Sequence, residues 1–367
     1  MKVLRFLFRS FFLTAHIGVA ILFLLSAVSD RISPASFPLF AYLGLGFPLF
    51  CLCNVAFTIY WLFLHEWRFI WIGLLAFVLG WEQVKLYFPV HAPVEEIPKE
   101  QTIKLLTYNI MSFAYKEHTQ AHPNPIIEYI AHSDADIVCL QEYAEDTHAN
   151  YLTKRKIYRA LKMYPYRSII YLTKSNRLRS GIAVFSKFPI EKSQRIEYDS
   201  EFNGSSMHFI RLPGDKKLLL VNNHLESFKL TTEDRTRYAS FLKGSGTEDL
   251  EYLKGSLQQK LGTAFKIRAA QAQKVAEVVQ KTESDYVIVC GDFNDTPISY
   301  AHHTLQQGLV DAFSESGRGM GISYHQNCFW FRIDHVLHSK NMKSLNCTVD
   351  DIADSDHYPV WCYLQLK

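Results

Sequence analysis

Six clusters of polar residues beyond residue 100 carry the side-chain types that phosphoryl chemistry needs. They are Asn109; Gln141 and Glu142; Asn223 and His224; Asp292, Asn294 and Asp295; Asp334 and His335; and Asp356 and His357. Each ends or borders a short apolar run. A single Asp or Asn in such a place is ordinarily a turn or cap residue, because its side chain bonds the local backbone. Repetition changes that reading, since strand ends along one sheet edge are where a site can converge. Carboxylates and Asn carbonyls without a matching Cys set suit a hard cation, Mg²⁺ or Mn²⁺, and such ions polarise phosphoryl oxygens. An Asp beside an Asn suits a general base next to an amide that orients water or holds an oxygen. A His backed by an Asp stays protonated and stabilises charge on a phosphoryl group. Other chemistries lose. The chain has no G-x-x-x-x-G-K-[ST], no G-x-G-x-x-G after a strand and no G-x-S-x-G, and His65-Glu66 lacks a second His four residues on.

These residues need elements to position them. The runs 102–110, 136–142, 181–186, 217–225, 286–292, 332–339 and 358–366 read as buried strands. Residues 124–133 read as a helix with an Asn cap, and 266–282 as a second helix. Hairpin-like and crossover connections together suggest two packed sheets with helices outside. The segment 226–265 is charged and Gly-interrupted. It is read either as a substrate-selecting lid or as a pair of solvated helices. The Gly-rich stretch 317–321 reads as a flexible loop in preference to a phosphate cradle.

The N-terminal quarter is different. Residues 10–29 and 32–64 contain no Asp, Glu, Lys or Arg, whereas a bilayer core needs about 20 apolar residues in a helix. We expect three spans, near 10–29, 39–63 and 69–87, with Glu82 and Lys85 at the interface and Trp67, Trp71, Trp81 and Tyr87 as an aromatic belt. Lys2, Arg5 and Arg9 place the N-terminus in the cytoplasm. Three spans then put the remainder on the exoplasmic (periplasmic) side of an inner or plasma membrane, and two would leave it cytoplasmic. Residues 89–101, with three Pro, read as a stiff linker. Of 39 Lys and Arg against 36 Asp and Glu, six and three fall in residues 1–88, which leaves the remainder neutral. The surplus of +3 therefore belongs to the anchor, and the neutral remainder lacks the basic excess of a polyanion-binding domain. Seven Cys in 367 residues exclude a disulfide-stapled scaffold.

The motifs LTYNI, VCLQE, SGIAVFSKFPI, NNHLES, VCGDFNDTP, RIDHV and SDHYPV, in this order over about 102–367, resemble the endonuclease/exonuclease/phosphatase superfamily of metal-dependent phosphoesterases. That superfamily includes pancreatic-type deoxyribonucleases, neutral sphingomyelinases and inositol polyphosphate 5-phosphatases. The tethered arrangement is similar to bacterial members with N-terminal spans. The resemblance implies an α/β fold, a four-layered α/β/β/α sandwich, here preceded by an all-α transmembrane segment. It implies Glu142 as principal metal ligand, with Asn109 beside it and Asp356 as a further metal or water contact. It implies Asp292 as the group that aligns or deprotonates water, and Asn294 as the one that orients the nucleophile or holds a phosphate oxygen. His357 would stabilise the transferring phosphoryl group, Asp334 would hold that imidazole, and His224 would contact the phosphate. Arg268 heads a helix that in relatives often faces the site. Met111 stands where many nucleases have an acidic residue, which weakens a second acidic ligand on that strand. His224 stands where abasic-site endonucleases have Tyr.

Three functions follow. The first is a membrane-anchored Mg²⁺-dependent phosphoesterase acting on a lipid or other small phosphodiester. The second is a membrane-anchored nuclease, which keeps nucleic acid open as a partner and would draw on Arg177, Arg179 and Lys187 as a local strip. The third, a binding scaffold, conflicts with the intact set of Glu142, Asp292, Asn294, Asp334 and His357. No protein partner is implied.

Overall fold

The computed structural model describes residues 2–98, 100–200, 202–242, 252–326 and 329–367. Residues 243–251 of the charged segment and Cys328 lie outside them. Twelve strands form two six-stranded mixed sheets. In the first, β1 (Thr102–Asn109) and β2 (Ile137–Asp146) run parallel at the centre. They are flanked on one side by β4 (Leu178–Ser186) and β3 (Tyr166–Lys174), and on the other by β12 (Val360–Leu366) and β11 (Met342–Val349). In the second, β7 (Lys216–His224) and β8 (Tyr286–Asp292) are the parallel centre. Around them stand β6 (Gly204–Leu212), β5 (Ile190–Ile196), β10 (Asp334–Ser339) and β9 (Leu309–Asp311).

Strand alternation assigns the layers, because successive side chains face opposite sides of a sheet. Leu105, Ile137 and Cys139 of the first sheet share one buried cluster with Leu218, Leu220 and Ile288 of the second, between the sheets. Their neighbours Leu106, Val138 and Leu140 pack outward under α6 (Pro125–His132) and α7 (Lys154–Ala160) through Ile126, Ile127, Ile130 and Ile157. On the far side, Leu219, Val221 and Val289 pack under two more helices through Ala272, Val275, Ala301 and Leu305. The result is the expected α/β/β/α sandwich. Central strands covered on both faces read as continuous apolar runs.

Asn124 caps α6, its Oδ1 accepting from Ile126 N and Ile127 N. The charged segment contributes α8 (Thr232–Leu242) and the start of α9 (Gln258–Lys281), so the long helix begins eight residues before its apolar stripe at 266. After β8 come α10 (Tyr300–Gln306) and α11 (Ala312–Ser316).

The N-terminal part is a bundle of α1 (Lys2–Ala27), α2 (Pro38–Leu45), α3 (Phe47–Phe63), α4 (Trp67–Leu79) and α5 (Trp81–Tyr87). The stretch Val3–Arg31 is long and apolar enough to cross a membrane. The pairs α2–α3 and α4–α5 are bent by 58° and 69°, and count as two more such helices if each pair is one span. Gly46 and Pro48 stand at the first break, where proline cannot continue the hydrogen-bond ladder. Polar groups inside the bundle satisfy one another. Trp61 Nε1 donates to His16 Nδ1 at 3.0 Å, which leaves His16 Nε2 to donate to Asn54 Oδ1 at 3.3 Å.

The bundle packs directly on the sandwich. Ile298 shares a buried cluster with Ala20, Phe23, Phe47 and Tyr87. Arg332, fully buried, donates to Leu86 O at the end of α5. The connecting segment is also tied down. Gly319 N donates to Pro89 O, and Val94 exchanges two 2.7 Å hydrogen bonds with Asn346. The 317–321 stretch, expected to be a flexible loop, is thus a docking strip for residues 89–91, with Gly317 and Gly321 against the Phe313 ring.

Candidate active site

The parallel pairs β1/β2 and β7/β8 deliver their C-terminal ends to one edge of the sandwich. Asn109 lies beside Gln141, and His224 beside Asp292. Antiparallel β10 starts at that same edge, with Asp334 directly opposite Asp292. The loop before β12 brings in Asp356 and His357, and Ser355 Oγ fastens that loop to β1 by donating to Asn109 O at 2.8 Å.

Two local distortions aim the carboxylates. The β2–β4 register slips between Leu140 and Tyr143, and Glu142 sits there in the left-handed region at φ 50°. Such a bulge re-aims one side chain. Gln141 therefore turns between the sheets, donating to Thr107 Oγ1 and to Asn222 Oδ1 at 2.7 Å, while Glu142 reaches the site. At the end of β8, Gly291 has φ +121° and a Cβ there would meet Asn223 O at 2.1 Å, so only glycine fits. Asn294 follows at φ 53°, with its N–H donating to Asp292 Oδ1 at 2.7 Å.

The resulting contacts are short and buried. Asn109 Nδ2 donates to Asp292 Oδ2 at 3.0 Å and to Glu142 Oε1 at 3.3 Å. Asn294 Nδ2 lies 3.2 Å from Asp292 Oδ2 and donates to Leu225 O at 2.9 Å. His224 Nε2 is 3.7 Å from Asp292 Oδ2 and 3.8 Å from Glu142 Oε1. His357 Nδ1 donates to Asp334 Oδ2 at 2.7 Å, and its Nε2 stands 3.7 Å from Asp292 Oδ2.

Burial and charge set the protonation states. Burial alone would lower His357, but the carboxylates of Asp334 and Asp292 overcome it and push the imidazole up to about 10, so it is a cation. Burial raises Asp292 to about 6 against the opposing pull of His357. Burial lowers His224, which favours its neutral form. The site therefore holds an imidazolium beside a carboxylate of raised proton affinity, the combination needed to take a proton from water and neutralise charge on a phosphoryl group.

The donor set fits a hard divalent cation. Glu142, whose side chain is 38% exposed, is the accessible carboxylate. Asn109 and Asp356 flank the same edge. Asn109 presents its amide nitrogen to the two acids, and turning that amide over offers Oδ1 instead. Asp292, Asp334 and His357 also converge within 4.8 Å, a group in which His357 donates to Asp334.

A cavity of about 340 Å³ collects Glu142, His224, Asp292, Asn294, Asp356 and His357. Arg268 is not brought there. It is fully buried beneath Phe228, with Nε on Asp295 Oδ2 at 3.1 Å and Nη1 on Glu226 O at 2.7 Å, so it fastens the loop after β7 to the loop after β8. His335 faces away too, in a buried group with His302 and Asp311. Two residues escaped the sequence reading. Tyr324 lines the cavity with its ring 5.1 Å from His357, and Ser323 Oγ accepts from the N–H groups of Ile333 and Asp334 at 3.0 Å. Both lie in a loop whose sequence has no periodicity to mark it.

A family model described as the Endonuclease/Exonuclease/phosphatase family matches residues 106–357. The chain belongs to this family. Members of this family are divalent-metal-dependent hydrolases of phosphoester bonds. A second model, Domain of unknown function (DUF8431), matches residues 9–87. Among curated proteins, the chain is 22% identical over 317 residues to the CCR4-Not complex 3′-5′-exoribonuclease subunit Ccr4 of Phaeosphaeria nodorum, covering 71% of this chain and about half (51%) of the relative. Similar solved structures include the human Nocturnin catalytic domain with bound sulfate (16% identity, 73% of this chain and 94% of that one, TM-score 0.49). Another is the endonuclease/exonuclease/phosphatase from Beutenbergia cavernae (15% identity, 73% and 72%, TM-score 0.47).

Proposed function

We propose that the protein is a membrane-anchored, Mg²⁺-dependent phosphoesterase that hydrolyses a lipid or small phosphodiester by in-line attack of water. The observation that carries this reading is the meeting of Asp292, Asn294, Glu142, His224 and Asp334-held His357 in one cavity. Glu142, with Asn109 and Asp356, would hold the cation, which when bound polarises the phosphoryl oxygens. Asp292 accepts the proton of the attacking water as its oxygen bonds to phosphorus. Asn294 fixes Asp292 and the nucleophile, His224 donates to a phosphoryl oxygen, and the His357 cation balances the charge that builds as the P–O bond to the leaving group breaks. Water and a phosphodiester become a phosphomonoester and an alcohol.

A nuclease reading is supported by the name of the Ccr4 relative. Against it, two of the three residues of the basic strip, Arg177 and Lys187, are paired with Asp146 and Asp136 at 3.2 and 3.1 Å, and the charge balance outside residues 1–88 gives no basic excess to follow a phosphate backbone. For location, α1 supports anchoring, and three spans would place the catalytic part outside the cytoplasm.

The test is hydrolysis by the full chain in detergent of bis-p-nitrophenyl phosphate, phospholipid, plasmid DNA and RNA. We expect turnover of the small ester and of lipid, its loss in EDTA, its return with Mg²⁺ or Mn²⁺, and a fall of at least about 10³-fold in Glu142→Ala. Rapid nucleic-acid cleavage that disappears in Glu142→Ala would replace this reading by the nuclease one.

A further inference from the structure

Beside its polar residues, the catalytic cavity has a largely apolar lining that includes Leu45, Phe228, Leu257, Leu261, Phe329 and Ile333. A site that reads only a phosphate has no use for such a wall, since each apolar group left facing water is unfavourable, and the aliphatic members Leu45, Leu257 and Leu261 offer no ring on which a base would stack. Among the described residues Lys229 is the one Lys or Arg lining the cavity, and its Nζ is 2.6 Å from Glu226 Oε1, so its charge is matched within the protein. Both ends of the charged segment supply wall residues, Phe228 from its start and Leu257 and Leu261 from its end. Between them Tyr238 of α8 stacks on the Phe329 ring at 4.4 Å.

Leu45 has a different origin. It is the last residue of α2, within the apolar N-terminal bundle. At about 1.5 Å per residue, α2 is about 12 Å long. Its outer end carries Phe37 and Leu39, 63% and 66% exposed. A single short helix thus joins the cavity, at Leu45, to the outward apolar surface of the bundle. Helix α2 is held in that place by contacts with no part in chemistry. Gly44 abuts Ile298 O, and Tyr42 packs edge-on against Phe265 of α9 and donates to Gln258 O.

We propose that the substrate is an amphiphilic phosphoester, a membrane lipid. Its phosphate rests on the Glu142, Asp292 and His357 floor, and its hydrocarbon lies against Leu45, Leu257 and Leu261, so the N-terminal bundle forms part of the substrate pocket. This rests on the phosphoesterase reading above. On this reading the bundle does more than hold the enzyme at a surface, because its Leu45 is part of the cavity lining.

The test uses the full chain in detergent with Mg²⁺ and a series of methyl, butyl, octyl and dodecyl p-nitrophenyl phosphates, all below their micellar concentrations. Chemistry and leaving group are constant across the series. Water adds to phosphorus, p-nitrophenolate leaves, and the alkyl phosphate remains. We expect kcat/KM to rise at least ten-fold from methyl to octyl, as burial of methylene groups requires. The rise should flatten in Leu45→Gln and in Leu261→Gln and persist in Leu45→Met, with thermal melting showing that each variant is folded. A flat series in the wild type, with the methyl ester still turned over, overturns the lipid pocket and leaves the phosphoesterase reading standing. No turnover of any ester removes the phosphoesterase reading itself. A second readout needs no turnover. An alkyl phosphate with a diazirine at its chain end should label peptides containing Leu45 and Leu261, in the wild type and in Glu142→Ala. Labelling confined to other parts of the chain overturns the proposal.

Discussion

His357 carries its charge where burial alone would strip it away. The 2.7 Å contact with Asp334 and the nearby Asp292 supply the compensation. Asp334 touches no reacting atom in this arrangement, so it acts by fixing the charge and the direction of the ring. Asp334→Asn keeps the shape and removes that charge. We expect kcat to fall by about 10²–10³-fold and the melting temperature to drop while the chain still folds, because a buried cation loses its partner, which steady-state kinetics and thermal melting of the same preparation would check. His208 presents the opposite case. It lies between Ser193 Oγ and Ser206 Oγ at 2.9 and 2.8 Å, wholly buried, and burial lowers it to about 3 from an ordinary 6.5. The unfolded chain therefore takes up a proton below pH 6.5 that the folded chain refuses until about pH 3. Its contribution to stability is complete above 6.5 and is lost as the pH falls toward 3. Unfolding free energy should drop by up to about 1.4 kcal/mol per pH unit on this account. In His208→Gln the acid slope between pH 6.5 and 5 should be shallower, as denaturant unfolding at several pH values would show; an unchanged slope would assign the acid sensitivity elsewhere.

Strand β8 makes the site by ending well. Gly291, at φ +121° with Asn223 O where its Cβ would be, lets the chain pass close to β7 and turn Asp292 and Asn294 inward. Gly291→Ala adds both backbone strain and a clash, and should destabilise the full chain by at least about 2 kcal/mol and reduce turnover more than ten-fold, measured by melting and by ester hydrolysis. The central strands were legible as continuous apolar runs, because both faces are covered. The strands β3, β5, β6, β9 and β11 were not. The segment IEKSQRI of β5, with one face toward solvent, carries five polar residues against two apolar ones and gives no clear run. The floor of the site was legible for the same reason as the central strands, since its residues sit at their ends in fixed order. Leu45 was not, because nothing in a charge-free run at 32–64 distinguishes a residue facing lipid from one facing a catalytic cavity. Arg268 was misplaced because a helix-borne Arg has the same sequence signature on a substrate as in a buried clamp; the Asp295 and Glu226 contacts that claim it come from two distant loops.

The N-terminal bundle and the sandwich are locked at several points, and two of them touch the loops that carry the site. Ser29 Oγ and Gly44 meet Ile298 O, four residues beyond Asn294. Arg332, two residues before Asp334, holds Leu86 O and lies 4.4 Å over the Phe313 ring. His303 Nδ1 lies 3.7 Å from Asp30 Oδ2. We therefore expect a shift of the bundle to reach Asn294 and Asp334 through these contacts. Gly44 is the point at which this is most easily tested. A Cβ there would lie 2.6 Å from both Ile298 O and Ser29 Oγ, whereas a Cβ on Gly18 would meet nothing within 4 Å. Gly44→Leu should push α2 off the loop that follows Asn294, destabilise the full chain by about 1–3 kcal/mol, and lower kcat/KM on phosphodiesters. Gly18→Leu should stay within about 0.5 kcal/mol of the parent. Melting of the two variants in the same detergent, with hydrolysis measured alongside, separates a bundle that supports the site from one that merely accompanies it. Equal behaviour of the two would mean that the catalytic loops stand without help from the anchor.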